Sequence, residues 1–288
     1  GATNSSTNSC GDNFTNVSSA TGSNTWIIYI KDLAGNENTT TVTFTQDTTP
    51  PVAEGGGGGG SGTSPANDSY TKVDDTNFTI NASDDVGIEN VTFFVLNETD
   101  NIINQTTIEG YSATEIFFGF FYTLYEETVY KWFFRVVDVV GNVFDTSTYQ
   151  MTYDITEPEG AILYPLNTSY NQTITAMNFS IVETNPHNCW YSTDLGVTNN
   201  SVACGNNVTG LSSSEGSNTW MFWVNDSVAF INKSSVTFIT DTTAPTISII
   251  SPVDATYYAL TELFVNISTS DADVGVDTVW FFNGLCSS

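Results

Sequence analysis

An internal repeat constrains this chain more than any other feature. Three segments align: GSNTWIIYIKDLAGNENTTTVTFTQDTTPP ending at Pro51, ETVYKWFFRVVDVVGNVFDTSTYQMTYDITEP ending at Pro158, and GSNTWMFWVNDSVAFINKSSVTFITDTTAP ending at Pro245. In each, an Asp follows a Trp by six positions (Trp26/Asp32, Trp132/Asp138, Trp220/Asp226), and a second Asp follows 15 or 16 positions later (Asp47, Asp154, Asp241). Self-similarity at fixed spacing marks one supersecondary unit used several times. The unit reads as a β-hairpin. Its Trp strand is apolar on both faces, its turn is Gly-Asn in the first two copies, and a Thr-rich alternating strand such as Thr41 to Thr45 returns. Pro then ends the ladder, because it has no N–H to contribute.

A second motif opens the domains. Ser64-Pro65 precedes NFTINASDDVGIENVTFFV, Tyr164-Pro165 precedes NFSIVETNPHNCWYS, and Ser251-Pro252 precedes LFVNISTSDADVGVDTVWFF. Each reads as strand, acidic loop and aromatic strand, pivoting on Phe78, Phe179 and Phe264. Opening and closing motifs together predict two whole domains, 64–156 and 159–243, each suited to a seven-stranded sandwich. Residues 1–50 hold only a closing half, 246–288 only an opening half, and 51–63 form a Gly-rich linker. A half-sandwich cannot bury its face or cover its edges. Either the chain is cut from a longer tandem array, or the opening half of one subunit pairs head to tail with the closing half of the next.

The W-x5-D-x2-GN pattern and the DTTPP-type linkers resemble the tandem immunoglobulin-like repeats of archaeal and bacterial cell-surface and secreted proteins, over nearly the whole chain. The resemblance implies an all-β array of sandwiches. Such repeats serve as stalks, adhesins, sheath and filament subunits, and appendages of secreted enzymes, so it constrains function weakly.

Charge removes several partners. The formal net charge is −27, from 5 Lys plus Arg against 32 Asp plus Glu. The acidic share is ordinary and the basic share is far below it. Nucleic acid is excluded as a direct partner, because neutralising phosphates needs clustered cations and only Lys31, Lys72, Lys131, Arg135 and Lys233 exist. Electrostatic anchoring on anionic lipid fails for the same reason. The deficit also suits a salt-loving source, although that reading expects excess Asp and Glu. The longest apolar run, Ile116 to Tyr125, has ten residues, where a membrane span needs about 20. No secretory leader is evident. The expectation is a mature ectodomain, or a piece of one, at the cell surface.

Asn-x-Ser/Thr triplets support that setting. There are 18 of them, at Asn4, Asn13, Asn16, Asn38, Asn67, Asn77, Asn81, Asn90, Asn97, Asn104, Asn167, Asn171, Asn178, Asn199, Asn207, Asn225, Asn232 and Asn266. Composition alone would give about 7, so N-linked glycans are expected partners. A β-surface rich in Asn and Thr is the alternative source of such triplets.

The cysteines follow the repeat. Cys10 and Cys204 each precede a Trp by 16 positions, in CGDNFTNVSSATGSNTW and CGNNVTGLSSSEGSNTW, and Cys189 lies in an opening half beside Trp190. An intradomain Cys189–Cys204 disulfide follows, replaced in the preceding domain by an apolar pair near Val91 and Ile116. Cys10 and Cys286 then remain, for an intersubunit bond with each other or as free or differently paired thiols. A metal site from cysteines is not expected, without a CxxC motif or a His cluster.

In an immunoglobulin-like sandwich the loops after the second and sixth strands share the pole that receives the incoming linker. That geometry gathers Asp154, Glu183 and Asp226 at one junction and Asp241, Asp271 and Asp273 at the next. The carboxylates suit calcium, and some repeats of the resembled group are calcium-braced. Solvated turn aspartates are the competing reading. Linker lengths differ as well: Pro158 to Pro165 and Pro245 to Pro252 are seven residues apart, but Pro51 to Pro65 are fourteen, the excess being the tract Gly55 to Gly60.

No catalytic constellation emerges, so the chain is not expected to be an enzyme. The single His187 has no nucleophile motif around it, and the acidic pairs Asp74-Asp75 and Asp84-Asp85 are adjacent in turns. One stretch departs from its repeat, EIFFGFFYTLYEETVYKWFF at 115–134. Phe117, Phe118, Phe120, Phe121, Tyr122 and Tyr125 there suggest a contact surface, with two consecutive core strands as the alternative. The sequence therefore points to an extracellular structural protein, a subunit of a filament, sheath or stalk that polymerises with itself. The alternative is a surface adhesin or glycan- or protein-binding module.

Overall fold

A computed structural model describes residues 7–54, 65–254, 256, 259 and 262–282, which fall into two units, Gly1–Asp154 and Ile155–Ser288. No helix among the described residues is long and apolar enough to cross a membrane.

The first unit opens on a hairpin of β1 (Gly22–Lys31) and β2 (Glu37–Gln46), in register from Gly22 opposite Gln46 to Lys31 opposite Glu37. Its turn is closed by Asp32, which accepts the Asn36 backbone and side-chain N–H groups at 2.8 Å each. Gly35 supplies the left-handed residue of that turn at φ 93°. Next come β3 (Val52–Glu54), β4 (Ser69–Thr71), β5 (Asp75–Leu96), β6 (Ile102–Thr123), β7 (Thr128–Asp138), β8 (Val143–Asp145) and β9 (Tyr149–Tyr153). Of the expected linker 51–63, the residues 52–54 form β3, with Val52 opposite Ser83 on β5. The Gly55–Gly60 tract lies outside the described residues.

Strands β5 and β6 are each 22 residues long and bend, so that each serves two layers. Their register shifts between Ser83 and Ile88. Glycine is required at the crossing: a Cβ on Gly87 (φ 123°) would collide with the Ser112 carbonyl, and one on Gly110 with the Ile88 carbonyl. One layer holds β3, residues 75–83 and residues 115–123; the other holds residues 88–96 and 102–113 with β7, β8, β9 and β4. Aromatic rings join the layers. Phe78 lies 4.9 Å from Phe93 and 5.1 Å from Trp132, and Phe120 lies 5.3 Å from Phe93 and 5.7 Å from Phe134. All five are buried.

The second unit repeats the plan with shorter strands: β10 (Glu159–Tyr164), β11 (Ser169–Tyr170), β12 (Ala176–Val182), β13 (Pro186–Ser192), β14 (Asn200–Val202), β15 (Val208–Thr209), β16 (Gly216–Asp226) and β17 (Ile231–Thr240). They form two sheets, ordered β10-β12-β15 and β11-β17-β16-β13-β14. Phe179 of the first sheet stacks on Phe222 of the second at 4.0 Å. In both domains a short strand runs parallel to the last one, β4 along β9 and β11 along β17. Together with the antiparallel Greek-key pairing elsewhere, this makes each an immunoglobulin-like β-sandwich. Strand β5 thus combines what β12 and β13 do separately.

The chain closes with β18 (Thr246–Ser251) and β19 (Asn266–Ser270). Their register copies that of β10 and β12: Ser251 stands opposite Asn266 as Tyr164 does opposite Asn178, with the same irregularity one step earlier. That register corrects one expectation. The residue at the place of Phe179 is Ile267, opposite Ile249 as Phe179 is opposite Ile162, and Phe264 lies exposed before the strand.

Candidate functional site

Among the described residues, nothing packs over the apolar faces of the terminal elements. Hairpin β1–β2 exposes Trp26, Ile28 and Ile30 at 39, 45 and 62%. The equivalent positions of β16, Trp220, Phe222 and Val224, are each 0% exposed, because β10, β12 and β15 cover them. After β19 the described segment exposes Trp280, Phe281 and Phe282. Strand β18 exposes Ile247 and Ile249, in the register places of Gly160 and Ile162, so both ends present sheet faces of a kind that the complete domains bury.

Cys189 and Cys204 form a disulfide across a sequence separation of 15. Cys189 stands opposite Val224 on β16, and Val91 stands opposite Val136 on β7, which gives Val91 the corresponding place in the central domain. Cys10 is exposed with a free thiol; Cys286 lies outside the described residues, as does Asn4.

Among the described residues two groups of carboxylates bring their oxygens within 4.8 Å of one another: Asp47, Asp84 and Asp138, and Glu215, Asp241 and Asp273. Of the six acids expected at junctions, Asp241 and Asp273 belong to the second group, and Asp271 Oδ1 accepts the N–H groups of Asp273, Val274 and Gly275. Asp154, Glu183 and Asp226 belong to neither. Glu183 accepts the N–H groups of Thr184 and Asn185, and Asp226 Oδ1 accepts those of Val228 and Phe230 at 2.9 Å. Sequence reasoning missed Glu215 and the first group. The first was legible: Asp47, Asp84 and Asp138 are a linker, second-strand-loop and sixth-strand-loop set, one repeat earlier.

The two groups differ in what neutralises them. In the first, the Asn142 side-chain amide donates to Asp138 Oδ2 at 2.7 Å, to the Thr49 carbonyl at 3.3 Å and to Asp47 Oδ2 at 3.5 Å. Burial pushes the Asp138 carboxyl up, but the Asn142 side chain and the N–H groups of Asn142, Val140 and Gly141 outweigh it and hold the group below its ordinary range. In the second group, desolvation and then the charges of Asp241, Glu215 and Asp271 raise the Asp273 carboxyl. Glu215 is held low by the N–H and hydroxyl of Thr242 and by Thr243.

The aromatic stretch divides by strand alternation. Phe120 is buried, and Phe118 and Tyr122 pack against the core; Phe117, Phe121 and Tyr125 are exposed. The first three are therefore core and do not form a contact surface. His187 lies exposed on β13.

No known protein family has a model that matches this chain, and no curated protein matches it. Among solved structures, a tetra-tandem repeat from the extending region of a large adhesion protein aligns at 17% identity and TM-score 0.37, covering 89% of this chain and 74% of its own. Fibronectin(III)-like modules of Clostridium thermocellum CbhA align at 13% identity and TM-score 0.32, covering 66% of this chain and 94% of theirs. The N-terminal four Ig domains of Dscam1 isoform 4.4 align at 10% identity and TM-score 0.35, covering 72% and 52%.

Proposed function

We propose that this chain is an extracellular structural protein without enzymatic activity, a subunit of a surface filament, sheath or stalk. The observation that supports this reading is the match between its ends. Hairpin β1–β2 has the register of β16–β17, and β18–β19 has that of β10–β12. In the complete domain those two pairs face each other across one core. A second copy's β18–β19 half is thus the shape that would cover Trp26, Ile28 and Ile30, joining subunits head to tail through a completed sandwich. Concentration-dependent oligomers in sedimentation, and rods in electron micrographs, are the expected result. Monodisperse monomers whose residues 1–50 are cut by protease at all concentrations would sink the reading.

The carboxylates near the second unit's C-terminal end fit calcium within this proposal. Glu215, Asp241 and Asp273 offer oxygen donors alone, the set Ca²⁺ prefers, and a cation would offset the desolvation and the like charges that raise Asp273. The first group fits less well, since the Asn142 amide already bridges its carboxylates. Calcium should raise the melting temperature of the second unit and chelator should lower it; an unchanged melting curve across both additions removes the ion.

A further inference from the structure

Two sequon asparagines stand directly across from two exposed phenylalanines. On the outward face of the β5–β6 pair, Asn77 is opposite Phe121, Thr79 opposite Gly119, and Asn81 opposite Phe117. The inward neighbours Phe78, Ile80, Ala82, Ile116 and Phe120 are all buried, so pleating turns the other set outward, where Thr79 is covered at 3% exposure and the asparagines and phenylalanines that flank it are open. Phe117 and Phe121 are 62 and 76% exposed, and both asparagines are exposed. Directly opposite residues have Cβ atoms about 5 Å apart, within reach of a large side chain. Gly119 supplies the room between the rings: a Cβ there would come within 2.8 Å of Asn77 Oδ1.

We propose that Asn77 and Asn81 carry N-linked oligosaccharides whose first pyranose rings lie on Phe121 and Phe117. The occupant follows from the register. A sugar on either amide is tethered beside an aromatic face, and the axial C–H bonds of a pyranose present weak positive charge to the negative face of the ring. In the modification, the Asn side-chain nitrogen forms a bond to the anomeric carbon of a polyprenyl-phosphate-linked oligosaccharide. The C1–O bond breaks, the polyprenyl phosphate leaves with its electron pair, and the amide loses one proton. Strand β6 is also an edge, with β5 its one partner among the described residues. An apolar row beside a long open edge invites aggregation, which bound glycan would block. Other strand sequons lack the exposed pair: Asn90 is opposite Glu109, Asn38 is opposite Ile30, and Asn178 is opposite Tyr164, a half-buried ring that packs against the second core.

The inference rests on the secreted reading only for access to a glycosyltransferase, so its test supplies that access independently. The full chain is secreted from a host that N-glycosylates, and occupancy is read by glycosidase release in ¹⁸O water followed by peptide mass spectrometry. Glycan at Asn77, Asn81 or both is expected. Enzymatic removal should lower the melting temperature of the central domain by about 3–6 °C, the scale for a modest loss in a 100-residue domain. The shift should shrink below about 1 °C in Phe117→Thr/Phe121→Thr. Asn77→Gln/Asn81→Gln, which keeps the rings, should reproduce the loss, whereas Asn90→Gln should not. Three results would each overturn the proposal: bare Asn77 and Asn81 whatever the other sequons carry; equal shifts with and without the rings; or a dimer of glycosylated protein that Phe117→Thr/Phe121→Thr dissociates, which would make this face a contact between copies.

Discussion

Hairpins β1–β2 and β16–β17 are the same object in two surroundings. Trp26 stands opposite Val42 and Trp220 opposite Val236, and the pairing runs from Gly22–Gln46 and from Gly216–Thr240. Even the ties to the preceding turn agree. Asn24 bonds the Ala20 N–H, the Ala20 carbonyl and the Gly22 carbonyl, and Asn218 does the same with Ser214 and Gly216. Thr25 pairs with Thr43 as Thr219 pairs with Thr237. Apart from the turn, where Ala229 and Phe230 stand in place of Gly35 and Asn36, the difference is burial. Hairpin geometry is therefore written locally, in turn residues and cross-strand pairs, while the stability of the apolar face depends on what is laid over it.

Two substitutions would break or sharpen that contrast most strongly. Trp220→Ala should destabilise the second unit by about 3–5 kcal/mol, the cost of emptying a fully buried aromatic site, read as a shifted denaturant midpoint. Trp26→Ala should change the unfolding of dilute monomer by less than about 0.5 kcal/mol and abolish the concentration-dependent assembly. Similar unfolding losses for both would mean that the first hairpin is already covered.

The disulfide comes next. Replacing both Cys189 and Cys204 by Ser should cost about 3 kcal/mol for a loop of this length, lowering the second unit's transition and leaving the central domain's where it was. Val91 holds the position of Cys189 there, so reductant should separate the two transitions further.

The closing turns give a smaller effect. Asp32 and Asp138 each meet an Asn four residues on, after a glycine with positive φ. In the third copy Ala229 takes the left-handed place at φ 65° and Phe230 replaces the Asn, so Asp226 Oδ2 is buried with no donor among the described residues. Ala229→Gly/Phe230→Asn should stabilise the second unit by about 1–2 kcal/mol, combining relief of a strained alanine with a restored hydrogen bond. An unchanged or lowered denaturant midpoint would mean that the carboxylate is satisfied in another way.

Much of this was readable in the sequence, for reasons that differ by element. The closing hairpins announced themselves because Trp, Asp and the Gly-Asn turn recur at fixed spacing and each has a local role. The Cys189–Cys204 bond followed from the same alignment. Fusion of two strands into β5 was hidden, because it depends on Gly87 and Gly110 meeting Ser112 and Ile88, contacts remote in sequence. Phe264 was a plausible pivot by composition, yet register placed Ile267 there. Glu215 was missed because it joins Asp241 and Asp273 from before a strand, outside the loops that the repeat marks.

Acid titration tests the smallest contrast. The Asp138 carboxyl is held below its ordinary range by Asn142 and three backbone N–H groups. A carboxyl depressed in the folded state contributes stability that is fully present above its unfolded value, near pH 4, and is lost as pH falls through the folded value. The first unit should therefore weaken as pH drops below about 4. Asn142→Ala removes the side-chain donor, so it should lower stability at pH 7 and make the acid limb shallower, the two midpoints converging at the lowest pH. The second unit has its own acid-sensitive group in Asp194, lowered to about 2 chiefly by the Ser192 hydroxyl and the Thr198 N–H. Its limb should persist in Asn142→Ala and flatten in Asp194→Asn. Parallel pH curves for Asn142→Ala and the parent chain would show that Asn142 does not govern the Asp138 charge.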